Sequence, residues 1–242
     1  MELFQFRHSA FCEKVRLVLA AKALSYDVNE VVPGLGQWEL FRLSGQRQVP
    51  LLRDGNELIA DSSAIALYLE ARFPEPALLP PDPAQRAQVL LLEDWADTAL
   101  ASGARMALLQ GVAEDPLLRA ALLPDATPAV LRNLVGAVPA DLLGGVSQFL
   151  RPERQHLLAA LEQLTSLLSV QPYLVGDRPS LADLAVAAQL YLLKFPAAAG
   201  LELAARGVAG IADQAQFEPL FAWRDGLYRT LQRPLQSSTG LG

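Results

Sequence analysis

Hydrophobic and polar positions alternate over short distances in the first third of the chain, and at helical spacing in the rest. Glu2-Leu-Phe-Gln-Phe6 suits a buried strand. Val15, Val18, Leu19 and Lys22 then fall at helical spacing, with Ser9 placed to cap the helix they imply. Tyr26 to Val32 reads as a second strand, closed by Pro33-Gly34, and Trp38 to Leu43 as a short helix ending near Ser44-Gly45. Val49 to Arg53 and Glu57 to Ala60 flank Asp54-Gly55-Asn56, a hairpin signal. Asp61-Ser62 opens a helix that carries Ile65, Tyr68 and Leu69 and runs to Phe73. The order predicts βαβ followed by αββα: a small mixed sheet with helices on its faces.

Prolines at 74, 76, 80, 81 and 83 follow. Proline lacks the amide proton and stops helices, so this stretch reads as a linker. Strand signals disappear beyond it. Arg86 to Gln110 predicts one long helix, with Leu90, Trp95 and Leu109 turned to a core. Residues 111–150 are punctuated by Pro116, Pro124, Pro128, Pro139 and Gly144-Gly145, and read as short helices and loops. Pro152 to Leu168, Ser180 to Lys194 and Phe217 to Leu231 are helical again. The predicted architecture is α/β plus all-α: an α/β domain over residues 1–75, a proline-rich linker over 76–85 and an all-helical domain over 86–242.

Composition narrows the function. With 242 residues, 52% of them hydrophobic, the chain has ample material for a buried core, and disorder is excluded. Twenty basic against twenty-six acidic side chains give a net charge of −6, the opposite of a generic polyanion binder, so nucleic acid is not expected as a partner. The mean hydropathy of +0.23 raises the question of a membrane span. The most apolar helical stretch, Leu184 to Leu193, ends at Lys194 and Pro196, short of the roughly 18 apolar residues a span needs. The N-terminus lacks the basic-then-apolar layout of a secretion signal. Cys12 is the one cysteine, and His8 and His156 are far apart, so neither a disulfide nor a metal cluster is expected. The expectation is a soluble, cytoplasmic protein with no metal and no membrane segment.

Three places carry candidate chemistry. Ser9 stands at the start of the first helix, where unpaired amides and the positive dipole end suit an anion such as a thiolate. Its hydroxyl either donates to such an anion or simply caps the helix, and Cys12, one turn on, either reacts or packs as a small hydrophobe. Gln48-Val49-Pro50 precedes the third strand. A cis Pro50 can leave the backbone of Val49 free to pair with an extended peptide. At Asp61-Ser62, the Ser62 amide and hydroxyl suit a carboxylate and the Asp61 side chain an ammonium group, which together fit an α-amino acid head. An ordinary helix cap fits the same two residues. Ser180-Leu-Ala-Asp183 reads as a structural capping box with Asp in place of the usual Glu or Gln. Arg105-Met106 reads as a solvated arginine beside a core methionine.

Together these pieces resemble the cytosolic glutathione S-transferase superfamily. The resemblance rests on Ser9-Ala-Phe-Cys-Glu-Lys-Val-Arg16, Gln48-Val49-Pro50, Asp61-Ser62-Ser-Ala-Ile65 and Pro172-Tyr-Leu-Val-Gly-Asp-Arg-Pro-Ser-Leu-Ala-Asp-Leu184, four segments in the family's order with the linker between them. It implies a thioredoxin-like N-terminal domain, an all-helical C-terminal domain and a homodimer. It implies glutathione as co-substrate, with no metal, and a small hydrophobic electrophile as second substrate. Ser9 matches the hydroxyl that steadies the thiolate in serine-using members. Gln48 falls at the glycine end, Val49 before Pro50 pairs with the cysteine backbone, and Asp61 and Ser62 grip the γ-glutamyl group. Should Ser9 not activate the thiol, Arg16 is the candidate for the alternative donor. Redox relatives carry a cysteine in place of Ser9, and a dithiol cycle needs two thiols. Cys12 alone leaves a single-cysteine thiol transferase as one alternative, and a non-catalytic binding protein of the same fold as another. A glutathione-dependent peroxidase activity is a variant of the leading reading.

Overall fold

The computed structural model describes residues 1–31, 40–42, 45, 48–123, 127, 135, 151–200 and 202–232. The chain divides into two compact units, one formed by Met1–Ala96, Tyr173–Ala188 and Leu227–Arg233, the other by Asp97–Pro172, Gln189–Gly226 and Pro234–Gly242.

In the first unit the strands are β1 (Glu2–Gln5), β2 (Asp27–Glu30), β3 (Leu51–Asp54) and β4 (Glu57–Ala60), in the order β2-β1-β3-β4. β1 pairs parallel to β2 and antiparallel to β3, and β3 pairs antiparallel to β4 across the expected hairpin. The βαβ crossover is α1 (Ala10–Ala21), and α2 (Ser62–Arg72) follows β4. α2 packs on α1, β3 and β4. Leu3, Val15, Val18, Leu19, Leu52, Ile65 and Leu69 fill the core, and a satellite of Val31, Leu40 and Leu51 takes in Phe4, Val49 and Ala60. Of the short helix expected over 38–43, residues 40–42 are helical, and the rest of it lies outside the described residues.

The proline-rich stretch is tied down. Lys22, the C-cap of α1, donates to the carbonyls of Phe73 (2.7 Å) and Pro76 (2.9 Å) and pairs with Glu70 at 2.6 Å. Glu70 in turn accepts from the amides of Leu78 and Leu79. Pro83, read as linker, is instead the first residue of α3 (Pro83–Trp95), where its missing amide costs nothing, and Asp82 caps that helix by accepting from the Gln85 amide at 2.8 Å.

The long helix expected over 86–110 is found as α3, one wider π turn over Ala96–Leu100 and α4 (Ala101–Glu114). Leu109 is 55% exposed and belongs to no core. Asp115 caps α5 (Pro116–Ala121), another helix with proline at its first position. Most of residues 124–150, expected as short helices and loops, lie outside the described residues. α6 (Arg151–Leu168), α7 (Leu181–Leu190) and α8 (Glu218–Thr230) match the three remaining predicted helices. Arg105 is exposed, as expected, with its Nε donating to the Ala101 carbonyl. Among the described residues no helix is long and apolar enough to cross a membrane.

Candidate functional site at one end of the sheet

Strand register gathers the three candidate segments. Phe4 pairs with Leu51, and Leu51 with Ala60. The chain therefore leaves β1 toward Ser9, enters β3 from Pro50 and leaves β4 into Asp61 at the same end of the sheet. Strands lie about 4.8 Å apart, so β1 and β4, with β3 between them, are separated by about 10 Å. Three residues of extended chain span about the same length. The sheet end thus presents, in order, a hydroxyl, a stretch of backbone outside the ladder and a carboxylate at the pitch of a tripeptide.

Ser9 is the N-cap of α1, with φ −83° and ψ 123°. Its Oγ accepts from the Cys12 amide at 3.3 Å, so the cap reading holds. Capping uses the oxygen's lone pair and leaves the O–H to donate. The same hydroxyl lowers the Cys12 thiol pKa slightly.

Cys12 itself is 0% exposed. Burial pushes its thiol pKa up, against smaller lowering effects from the Arg16 charge and the Ser9 hydroxyl. Raising the folded pKa favours the protonated form, so this contribution to stability is complete below the ordinary thiol range and is lost as pH rises through the folded value. A neutral, buried thiol is a poor nucleophile. We expect Cys12 to resist a disulfide-exchange reagent in the native protein at neutral pH and to react at once in denaturant. Fast native labelling would restore the single-cysteine reading.

Arg16 is 2% exposed. Its Nε donates to Glu13 (2.7 Å), Nη1 to the Gln5 side chain (2.7 Å) and Nη2 to the Arg7 carbonyl (3.0 Å). Glu30 completes the cluster, accepting from the Arg7 amide and the Gln5 side-chain amide. These bonds aim the guanidinium at the β1–α1 turn. Gln48 is exposed, Val49 half-buried and Pro50 buried, and the Val49–Pro50 peptide is cis.

Asp61 is exposed and caps α2. Its Oδ1 accepts from the amides of Ser63 (2.9 Å) and Ala64 (3.0 Å), which leaves Oδ2 for another cation or donor. Its φ is +75°, a conformation that costs a non-glycine residue about 1–3 kcal/mol and that concentrates at functional sites. Ser62, at the first position of α2, is buried.

Sequence reasoning missed the next shell. Lys14 pairs with Glu93 of α3 and donates to Ser63 Oγ at 2.9 Å, and Ser63 Oγ donates to Glu93 at 2.5 Å. The available signal was the run Glu13-Lys14-Val15-Arg16, charges interleaved with core positions on a helix flanked by strands. Among the described residues no group of three or more His, Cys, Asp or Glu is placed to hold a metal.

A model of the glutathione S-transferase N-terminal domain matches residues 3–77, and one of the C-terminal domain matches residues 124–226. Maleylacetoacetate isomerase of Pseudomonas aeruginosa is 34% identical over 197 residues, 79% of this chain and 80% of that protein. The chain belongs to the glutathione S-transferase family. A stringent starvation protein A homologue of Pasteurella multocida is 34% identical over 100 residues, 39% of this chain and 47% of that one. Among solved structures, a glutathione S-transferase from Rhodospirillum rubrum superposes with a TM-score of 0.67 at 25% identity, covering 98% of this chain and 92% of that one. The fold class expected from the sequence, a thioredoxin-like domain with a helical C-terminal domain, and the enzyme class, a glutathione S-transferase, both agree with these matches.

Proposed function

We propose that this protein joins the thiolate of glutathione to small hydrophobic electrophiles. The observation that carries the reading is the convergence of Ser9, Val49–Pro50 and Asp61–Ser62 at one end of the sheet, at tripeptide pitch. The tripeptide lies with its sulfur at Ser9, its cysteine backbone along Val49, its glycine end toward Gln48 and its γ-glutamyl ammonium at Asp61 Oδ2, while Ser62 at the helix start receives the α-carboxylate. The start of α1 and the Ser9 hydroxyl favour the thiolate over the thiol. The sulfur lone pair then forms the new carbon–sulfur bond, and the displaced electron pair leaves with the departing group or is protonated on the acceptor. With a hydroperoxide as electrophile, the same thiolate forms a sulfur–oxygen bond as the peroxide bond breaks and the alcohol leaves, and a second glutathione thiol then displaces water from the sulfenic acid to give glutathione disulfide.

A second reading is supported by the match to a maleylacetoacetate isomerase over four-fifths of its length: reversible addition of the thiolate to a cis-enone, followed by rotation and release of glutathione. We further propose a cytoplasmic homodimer. The exposed apolar side chains of Leu58, Leu67 and Leu91 in the first unit supply contact surface for it, and a monomer by sedimentation at micromolar concentration would argue against it.

The test is retention on immobilised glutathione with specific elution, followed by assay against aryl halides, enones, hydroperoxides and maleylacetoacetate. Turnover of the first three classes supports conjugation or peroxide reduction, and turnover of the last alone supports the isomerase. Specific binding with no turnover anywhere would leave a glutathione-binding protein and overturn the catalytic proposal.

A further inference from the structure

α1 and its C-cap carry three buried cations, Lys14 and Arg16 in the helix and Lys22 at the cap. Burying a charge costs several kcal/mol before any partner is counted, and an apolar side chain of similar volume usually serves stability as well or better. Their placement therefore calls for a reason beyond filling space. The partners differ in kind. Lys22 reaches only the segment from Phe73 to Pro76 and Glu70, away from the sheet end. Arg16 reaches the Arg7 carbonyl, two residues before Ser9, through a cluster that also holds Glu13, Gln5 and Glu30. Lys14 reaches Ser63, whose amide is one of the two that hold Asp61 Oδ1 and whose hydroxyl is fixed by Glu93.

We propose that Lys14 and Arg16 are positioning residues for two different groups of one ligand: Arg16 sets the turn that presents Ser9 to the sulfur, and Lys14 sets the first turn of α2 that presents Asp61 to the γ-glutamyl ammonium. The inference rests on the reading of this sheet end as a glutathione site. Neither cation touches the ligand: Arg16, a candidate thiolate donor from the sequence, spends its donors on Glu13, Gln5 and the Arg7 carbonyl and so acts through Ser9. Each acts by fixing a backbone segment through a side chain that would otherwise have several rotamers, so that Ser9 and Asp61 are aimed before glutathione arrives. Lys22, buried at the C-cap of the same helix but directed elsewhere, is the internal control.

The experiment uses the full chain and two ligands, glutathione and its analogue lacking the γ-glutamyl α-amino group. Two quantities are measured: the ratio of the two affinities by calorimetry, and the pKa of the bound thiol by thiolate absorbance. Lys14→Met, and the gentler Ser63→Ala in case the first does not fold, should shrink the affinity ratio by about tenfold and leave the thiol pKa in place. Arg16→Lys, which keeps the charge but loses the forked geometry, should raise the thiol pKa by about one unit and leave the ratio in place. Lys22→Met should lower the melting temperature and move neither. Either arm failing in a folded variant overturns the assignment for that cation. Both quantities moving together in all variants, Lys22→Met included, would mean that these residues only support the fold. A wild-type protein that binds neither ligand would instead fail the glutathione reading itself.

Discussion

Ser9→Ala should lower turnover about tenfold to a hundredfold and raise the pKa of the bound thiol by about one to two units, because it deletes a hydrogen bond to a charged sulfur worth roughly 1.5–3 kcal/mol. The same substitution removes the cap on α1, where Oγ accepts the Cys12 amide, at a cost near 1 kcal/mol. The two effects separate cleanly. The cap loss appears in the melting temperature, and the thiol effect appears in turnover per folded molecule and in its pH profile. Glutathione affinity measured below the thiol pKa should change little, since the thiol is then neutral in both proteins. Asp61→Asn is the contrast. Asparagine caps a helix about as well as aspartate, so stability holds while affinity for the ammonium-bearing ligand falls in ground and transition states alike. Should Ser9→Ala leave turnover and thiol pKa at wild-type levels, Ser9 is a helix cap and nothing more.

The largest loss of stability should come from Asp183. The sequence marks it as the acidic member of a capping box, and the structure gives it a second task. Its carboxylate is 0% exposed and accepts from the Ser180 amide (2.8 Å), the Ser180 hydroxyl (2.7 Å) and the Leu174 amide (2.8 Å), so it closes the turn before α7 as well as capping the helix. Asp183→Ala strands two buried amides at about 1–3 kcal/mol each, which predicts a loss of about 3 kcal/mol or more by urea unfolding. Burial raises its pKa, outweighing the hydrogen bonds from Ser180 and Leu174 that lower it. With the folded value above the unfolded one, near 3.9 for aspartate, the folded state holds the proton more tightly. Stability should therefore fall as pH rises from that unfolded value toward the folded one. Asp183→Asn should lack this slope, so the difference between the two proteins across acid pH isolates it. An alanine variant as stable as the wild type would contradict the assignment.

The elements that carry the site were legible because their signals are local. Ser9, Asp61 and Ser180 each precede apolar positions at helical spacing, and Asp54-Gly55-Asn56 marks the hairpin. Strand ends were less legible: of the strand expected from Tyr26, β2 holds Asp27–Glu30, while Tyr26 and Val31 fall outside it because a strand stops where its partner's register stops, and Val32 lies outside the described residues. Pro83 and Pro116 were read as breaks, although each sits at the first position of a helix behind an aspartate cap. The burial of Lys14 and Arg16 was harder to read, because periodicity sends charges to solvent while α1 buries residues from Cys12 to Leu19 without a polar face, and only their interleaving with core positions hinted at it. The positive φ of Asp61 leaves no mark on sequence at all.

At the end of the β2-β1-β3-β4 sheet, glutathione should bind and its thiol should ionise. The most direct measurement is the pH titration of thiolate absorbance in the wild-type protein saturated with glutathione. The bound thiol should titrate at least one unit below the free value of about 8.5. A bound thiol that titrates at the free value would contradict it.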